Sequence, residues 1–292
     1  MYYEIKDVRN ILGTFVSIKI FHEDKEEGVN AIREAFIEIY RIQALMSIYD
    51  QDSEVYKLNR NGFVEDLSEE TRYVIERAIY YSELSQGRFD ITILPLLKLW
   101  NEKRIKNEIP EDEEIKEARE LVNFKNIVID KDSIYFKKAQ MCITLAAIAK
   151  GYAVDRAIEI LRRHCIKHAI INAGGDIRAI GGKNGEIPWR VGIRDPINKG
   201  KMITSIEIFD KAIATSGTYY RPFNDMIDPR IGRPVEELIS STVISEKAID
   251  ADILSTLLFI TEIRECEDVL RRIGIVKGIF VTSKGEVFNF LS

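Results

Sequence analysis

Cysteine and histidine are scarce in this chain of 292 residues, three of each. Cys142, Cys165 and Cys266 lie far apart and form no Cys-x-x-Cys pair, which argues against a disulfide framework and a thiolate metal centre. No apolar run approaches the roughly 18 residues that would mark a membrane-spanning helix. A surplus of positive charge is missing too. The 42 Lys and Arg stand against 47 Asp and Glu, for a formal net charge of -5, so nothing favours a nucleic-acid partner. Neither GxGxxG nor GxxxxGK[ST] occurs, and no serine sits in GxSxG, which leaves Rossmann, P-loop and α/β-hydrolase chemistry unsupported. His164 and His168 are four apart, but a helix is expected to end between them and no third ligand is near, so they make no zinc site. The start, Met1-Tyr2-Tyr3-Glu4-Ile5-Lys6, has neither a basic lead nor an apolar core. As it stands the sequence reads as cytoplasmic; the alternative is an extracytoplasmic lipoprotein from which a leader has been removed.

Apolar residues make up 46% and charged residues 30%, a globular balance that excludes wholesale disorder. Alternation under β-branched crowding predicts a first strand over 13–21, and apolar residues at helical spacing predict a helix over 30–46. A short helix carries Val55 and Leu58, and Ser68 N-caps another that runs to about 85. The Lys- and Glu-rich stretch 102–120, with Pro110, reads as a solvated excursion with one short helix. Strands are expected near 127, at 134–136 and at 142–145, then a helix over 147–164 and a strand over 169–172. Further strands are expected at 176–180, 189–193, 202–208 and 212–215. Helices follow at 248–259 and 262–273, and two closing strands flank the turn 283–286. The pattern predicts an α+β fold of mixed, mainly antiparallel sheets, with residues 1–292 forming one unit of two lobes and no linker.

Polar residues interrupt the apolar elements at a few places. Asn172-Ala173-Gly174-Gly175-Asp176 joins two strands: either a plain turn or a place where backbone closes on a ligand. Ala214-Thr215-Ser216-Gly217 ends another strand with the same two readings. Lys150 and Gly151 sit at an otherwise apolar helix start, where a lysine and free N–H groups can hold an anion or the lysine can simply snorkel. Asp252 and Thr256 are four apart on one helix and face the same way, which suits a hard cation such as Mg²⁺; an Asp in a first turn also favours the helix dipole without any ligand.

Together these clusters resemble the ApbE family of flavin transferases. Leu12-Gly13-Thr14 resembles its opening MGT. Leu45-Met46-Ser47-Ile48-Tyr49-Asp50, with Ser53-Glu54 and Leu58-Asn59-Arg60, resembles LMSxYDxxSExxxLN. Gly87-Arg88-Phe89-Asp90-Ile91-Thr92, Pro95-Leu96 and Trp100 resemble GxFDxTxxPLxxLW. Residues 146–155 resemble LGGIAKGYAVD, and Ala173 to Asp176 with the run Trp189 to Pro196 resembles GGE/D and PWxVGIxDP. Thr215-Ser216-Gly217, Ile227-Asp228-Pro229-Arg230 with Gly232, and Asp252 with Thr256 resemble TSG, IDPRTG and the ADxxxT helix. Any one match is weak; the whole set in the family's order is specific.

The resemblance implies an enzyme that binds FAD and, with Mg²⁺, moves FMN onto a Thr or Ser of an acceptor flavoprotein, releasing AMP. By resemblance, Asp252, Thr256 and the carbonyl of Ala147 hold the metal. Lys150, Gly174, Gly175, Asp176, Thr215, Ser216 and Gly217 line the dinucleotide. Met46, Tyr49, Phe89, Asp90, Thr92 and Asp155 frame its flavin and adenine ends. One departure stands out. The family usually carries His-Ile-Ile-Asp-Pro, with the histidine near the reacting phosphate; here Asp225-Met226-Ile227-Asp228-Pro229 puts Asp225 at that position, the preceding hairpin is short, and Ile231 replaces the threonine of DPRTG. With Asp225 and Asp252 as the catalytic candidates, two alternatives stay open: a Mg²⁺-dependent FAD pyrophosphatase giving FMN and AMP, or an FAD-binding protein without turnover.

Overall fold

The computed structural model describes residues 2–218, 226–273 and 277–290. Its centre is an eight-stranded sheet whose spatial order is the chain order. The strands are β1 (Tyr3–Ile11), β2 (Thr14–His22), β3 (His168–Ala173), β4 (Asp176–Ile180), β5 (Ala212–Gly217), β6 (Leu238–Ser245), β7 (Lys277–Thr282) and β8 (Val287–Phe290). Each is antiparallel to its neighbours. The α+β architecture expected from the sequence is therefore observed.

Successive side chains of a strand point to opposite faces, and the two faces here have different covers. On one face Val16, Ile18, Ala169, Ala212, Ala214 and Val243 pack against helices. These are α1 (Lys25–Met46), α6 (Ala149–Arg163) and α7 (Ala248–Phe259). On the other face Phe21, Ile177, Ala179 and Ile213 meet a hairpin formed by strands Trp189–Arg194 and Met202–Ile208. Asp24 caps α1 by accepting from the N–H groups of Glu26 and Glu27 at 2.9 and 3.1 Å, and Ala31, Ile32, Ala35, Phe36 and Ile39 form its buried stripe. α7 differs: apart from half-buried Thr256 every residue of it is buried, because sheet and helices enclose it. Polar side chains on such a helix need specific partners.

Between α1 and α6 the chain forms a smaller unit. It holds α2 (Glu54–Asn61), α3 (Glu69–Leu84), α4 (Leu94–Ile105), α5 (Asp112–Arg119) and a three-stranded sheet of Phe63–Glu65, Ser133–Phe136 and Ile127–Ile129. α8 (Ile263–Ile273) follows α7. The 102–120 stretch thus contains the end of one helix and all of a second, where one short helix was expected. The expected strand at 142–145 pairs with no strand among the described residues; its backbone is tied by Asn59, which bonds both the N–H and the C=O of Ile143, and by Ile91, whose carbonyl accepts from Thr144 at 2.8 Å.

Candidate active site at the crossing of two helices

Four parts of the helix-covered face converge on one cluster: the start of β4 with the turn before it, α6, α7 and the end of β5. The turn between β3 and β4 places Gly174 at φ 65° and Gly175 at φ 111°, backbone open to glycine and costly for other residues. A Cβ on Gly174 would stand 2.6 Å from Thr14 Oγ1, so the turn lies directly on the start of β2. Asp176 and Arg178, two apart on β4, both face the helices. From α6, Lys150 forms ion pairs with buried Asp176 and, at 3.3 Å, with Asp252 Oδ1 on α7. The Gly151 N–H donates to Asp252 Oδ2 at 2.9 Å. At the end of β5, Ser216 Oγ lies 2.8 Å from Ser255 Oγ and 3.0 Å from Thr256 Oγ1.

The helices meet this closely because residue 151 is glycine. A Cβ there would sit 2.3 Å from the carbonyl oxygen of Ala248 and 2.8 Å from Cα of Ile249. With no side chain at 151, the α6 backbone runs against the first turn of α7, and Asp252, one turn further on, comes within reach of Lys150.

The electrostatics follow from burial. Asp252 is 3% exposed. Burial, and then repulsion by Asp176, push its carboxyl up to about 7 against the pull of Lys150 and the Gly151 N–H. Burial disfavours the charge on Lys150, but the two carboxylates outweigh it and raise its pKa. Ionised, the trio carries two negative charges and one positive, which leaves it able to attract a further cation.

The donor chemistry fits a hard ion. Asp252 and Thr256 present oxygens from one face of α7. Because the Gly151 N–H is used by Asp252, it does not reach back to Ala147, whose carbonyl accepts no backbone hydrogen bond among the described residues. Mg²⁺ needs few protein oxygens when phosphates and water complete its shell. Among the described residues no group of three or more His, Cys, Asp or Glu that could hold a metal ion occurs.

Other sequence candidates lie apart from this cluster. Met46 and Phe89 are core residues, and Thr92 is fully buried. The Asp90 carboxylate accepts from Thr92 N–H at 2.8 Å, from Thr92 Oγ1 at 2.6 Å and from the Phe124 N–H at 2.9 Å. It shapes its own turn, and burial raises its pKa. Tyr49 is 86% exposed, which makes its ring available to a partner. Asp155 is buried, with Arg178, the Ala248 N–H and the Ile249 N–H on its carboxylate. Thr215 Oγ1 pairs with Thr242 Oγ1 at 3.0 Å, so adjacent Thr215 and Ser216 serve opposite faces of β5. Asp225 lies outside the described residues.

A cavity of about 480 Å³ opens beside Asp90, between Gln86, Gly87, Phe124, Pro229 and Arg230, a volume within the range of small-ligand pockets. It joins the turn after α3 to the turn 228–232, which Trp100 steadies by donating to the Gly232 carbonyl at 2.8 Å. Its walls are distinct from the Lys150 cluster.

The sequence matches the ApbE family over residues 12–280. The chain belongs to the ApbE family. Among curated relatives, the FAD:protein FMN transferase of Haemophilus influenzae is 31% identical, with 84% of this chain and 74% of that protein covered. The enzyme of the same name from Vibrio cholerae is 30% identical over 85% of this chain and 79% of its own. Among solved structures, the ApbE protein of Thermotoga maritima superimposes with a TM-score of 0.88 at 33% identity, covering 99% of this chain and 97% of that one. The flavin transferase ApbE of Vibrio cholerae gives 0.85 at 25% identity, covering the same shares of the two chains. The motif resemblance pointed to the family but missed the helix-crossing role of Gly151 and the partnership of Arg178 with Asp155. Gly151 carried a signal, since a glycine inside an apolar helical pattern marks a packing constraint. Arg178 carried none, because its partner is 23 residues away along the chain.

Proposed function

We propose that the protein is an FAD:protein FMN transferase that uses a divalent cation and moves FMN from FAD to a Thr or Ser hydroxyl of an acceptor flavoprotein. The observation that carries this reading is the convergence of Lys150, Asp252, Thr256 and Ser216 where α6, α7 and the end of β5 meet. The acceptor oxygen forms a bond to the FMN phosphorus while the bond from that phosphorus to the bridging oxygen breaks; AMP departs with that oxygen. Such a displacement needs charge neutralisation and in-line placement more than covalent help.

Asp252, Thr256 and the Ala147 carbonyl would hold Mg²⁺, which when bound withdraws charge from the pyrophosphate oxygens. Lys150 adds a fixed positive charge for the phosphates. The glycines at 174 and 175 let backbone approach the dinucleotide closely, and Ser216 orients Thr256. Tyr49, with its exposed ring, is suited to stack on an aromatic ring of the substrate. By the family resemblance, Asp225 occupies the sequence position of the usual histidine and would be the group that takes the hydroxyl proton. A carboxylate there is a weaker base than imidazole near neutrality, so turnover is slow relative to a histidine-bearing protein.

The test follows AMP released from FAD in the presence of Mg²⁺ and an acceptor domain. AMP release that vanishes in Asp252→Ala, with the variant still folded, supports the proposal; release that survives this change contradicts it.

A further inference from the structure

The N-terminus of α7 has no cap of its own. Lys247 at the N-cap offers no side-chain acceptor, and the first N–H groups of a helix lack intrahelical partners. Two of them, Ala248 at 2.9 Å and Ile249 at 3.1 Å, donate to the Asp155 carboxylate of α6. That carboxylate is itself ion-paired with Arg178 of β4. Both residues are buried, Asp155 at 5% and Arg178 at 8% exposure, and among the described residues the Arg178 guanidinium meets Asp155 while its Nε has no hydrogen-bond partner.

The pair repeats the pattern of the active-site trio one step along the same elements. Asp176 and Arg178 are two apart on one face of β4; Lys150 and Asp155 are five apart on α6. The first ion pair reaches Asp252 through Lys150. The second reaches the turn of α7 that precedes Asp252 through its backbone.

We infer that Asp155, held by Arg178, is a positioning residue that fixes the first turn of α7 and thereby the place of Asp252. The inference rests on the reading that Asp252 holds a divalent cation. It departs from the resemblance, which put Asp155 against the ligand. With both oxygens engaged and the side chain enclosed, the carboxylate acts on the helix. Removing it leaves two buried N–H groups unpaired and lets the first turn loosen. Groups behind a metal ligand typically change metal affinity by about 10- to 100-fold when removed.

The test uses the full chain, Mn²⁺ as probe with FAD present, and electron paramagnetic resonance to measure free Mn²⁺. Asp155→Asn keeps volume and one acceptor and is expected to weaken Mn²⁺ about tenfold, with Arg178→Gln shifting it in the same direction. In the metal-free protein, hydrogen exchange should quicken at the amides of 248–252 while α1 and metal-free FAD affinity stay unchanged. A folded Asp155→Asn with wild-type Mn²⁺ affinity and wild-type exchange overturns the inference. Loss of metal-free FAD affinity also overturns it, returning Asp155 to the ligand. If Asp155→Asn does not fold, Arg178→Gln decides by the same readouts. A wild-type chain that takes up no Mn²⁺ with FAD present sinks the metal reading itself, and exchange at 248–252 then decides alone whether Asp155 sets the helix.

Discussion

Gly151 donates its backbone N–H to Asp252 Oδ2 at 2.9 Å, at a crossing of α6 and α7 too close for any side chain on residue 151. One contact thus joins a packing constraint to the placement of a buried carboxylate.

Gly151→Ala tests that link. The new methyl meets the Ala248 carbonyl and the Ile249 backbone, which cannot rotate away, so the helices must separate. Overpacking of this kind costs about 1–3 kcal/mol. A fall in denaturation midpoint is expected together with a loss of AMP release larger than the stability loss explains. An alanine variant with wild-type midpoint and wild-type turnover would remove the crossing from the account.

Asp252 gives a pH signature. Its carboxyl is pushed up to about 7 in the metal-free protein, against an ordinary value of 3.8. Between those values the folded chain keeps a proton that the unfolded chain releases, so stability falls as pH rises across the window. Thermal midpoints of metal-free protein should show that fall, and Asp252→Asn should reduce it. Cation affinity runs the other way: the ion competes with the proton, so binding strengthens up to about pH 7 and levels off above it.

His164 is a second pH probe, away from the site. Its ring nitrogens lie 2.7 Å from Glu27 and 2.9 Å from Glu34 on α1. Hydrogen bonds to the two carboxylates raise its pKa above 6.5, against a smaller cost of burial. The stabilisation is complete below that unfolded value and is lost as pH rises through the folded one. His164→Gln should flatten the stability profile above pH 6.5 and leave AMP release untouched. A changed turnover in this variant would argue against a purely structural role.

Asp225→His restores imidazole where the family usually has it. The rate of FMN transfer should rise near neutral pH, and the pH–rate profile should gain a limb near the ordinary histidine value, about 6.5. An unchanged rate and profile would mean that proton removal at this position does not limit turnover.

Much of the fold was legible in the sequence because its elements obey simple periods. Helix 248–259 matched to the residue, and strands 176–180 and 202–208 did as well. The misses have physical reasons. β6 buries Ser240, Ser241, Thr242 and Ser245, so composition hides a central strand. β1 forms an edge, where solvent tolerates Glu4, Lys6 and Asp7 and blurs the apolar pattern. Cys142, Ile143 and Leu145 are apolar because they are enclosed, not because they join a ladder. Of the motif candidates, the structure brings Lys150, Asp252, Thr256 and Ser216 together. Motif spacing did not show the contacts the other candidates make: Asp90 holds its own turn and lines a cavity, and Asp155 holds Arg178 and the first turn of α7. Apart from the Asp90 turn, those contacts are made across long stretches of chain.

The central claim is transfer of FMN to a protein. Intact-mass spectrometry of an acceptor flavoprotein domain, incubated with this protein, FAD and Mg²⁺, tests it most directly. The account predicts a gain of one FMN on a Thr or Ser, matched by an equal amount of AMP and absent without Mg²⁺. Acceptor left at its original mass, with FAD either intact or split into free FMN and AMP, would contradict it.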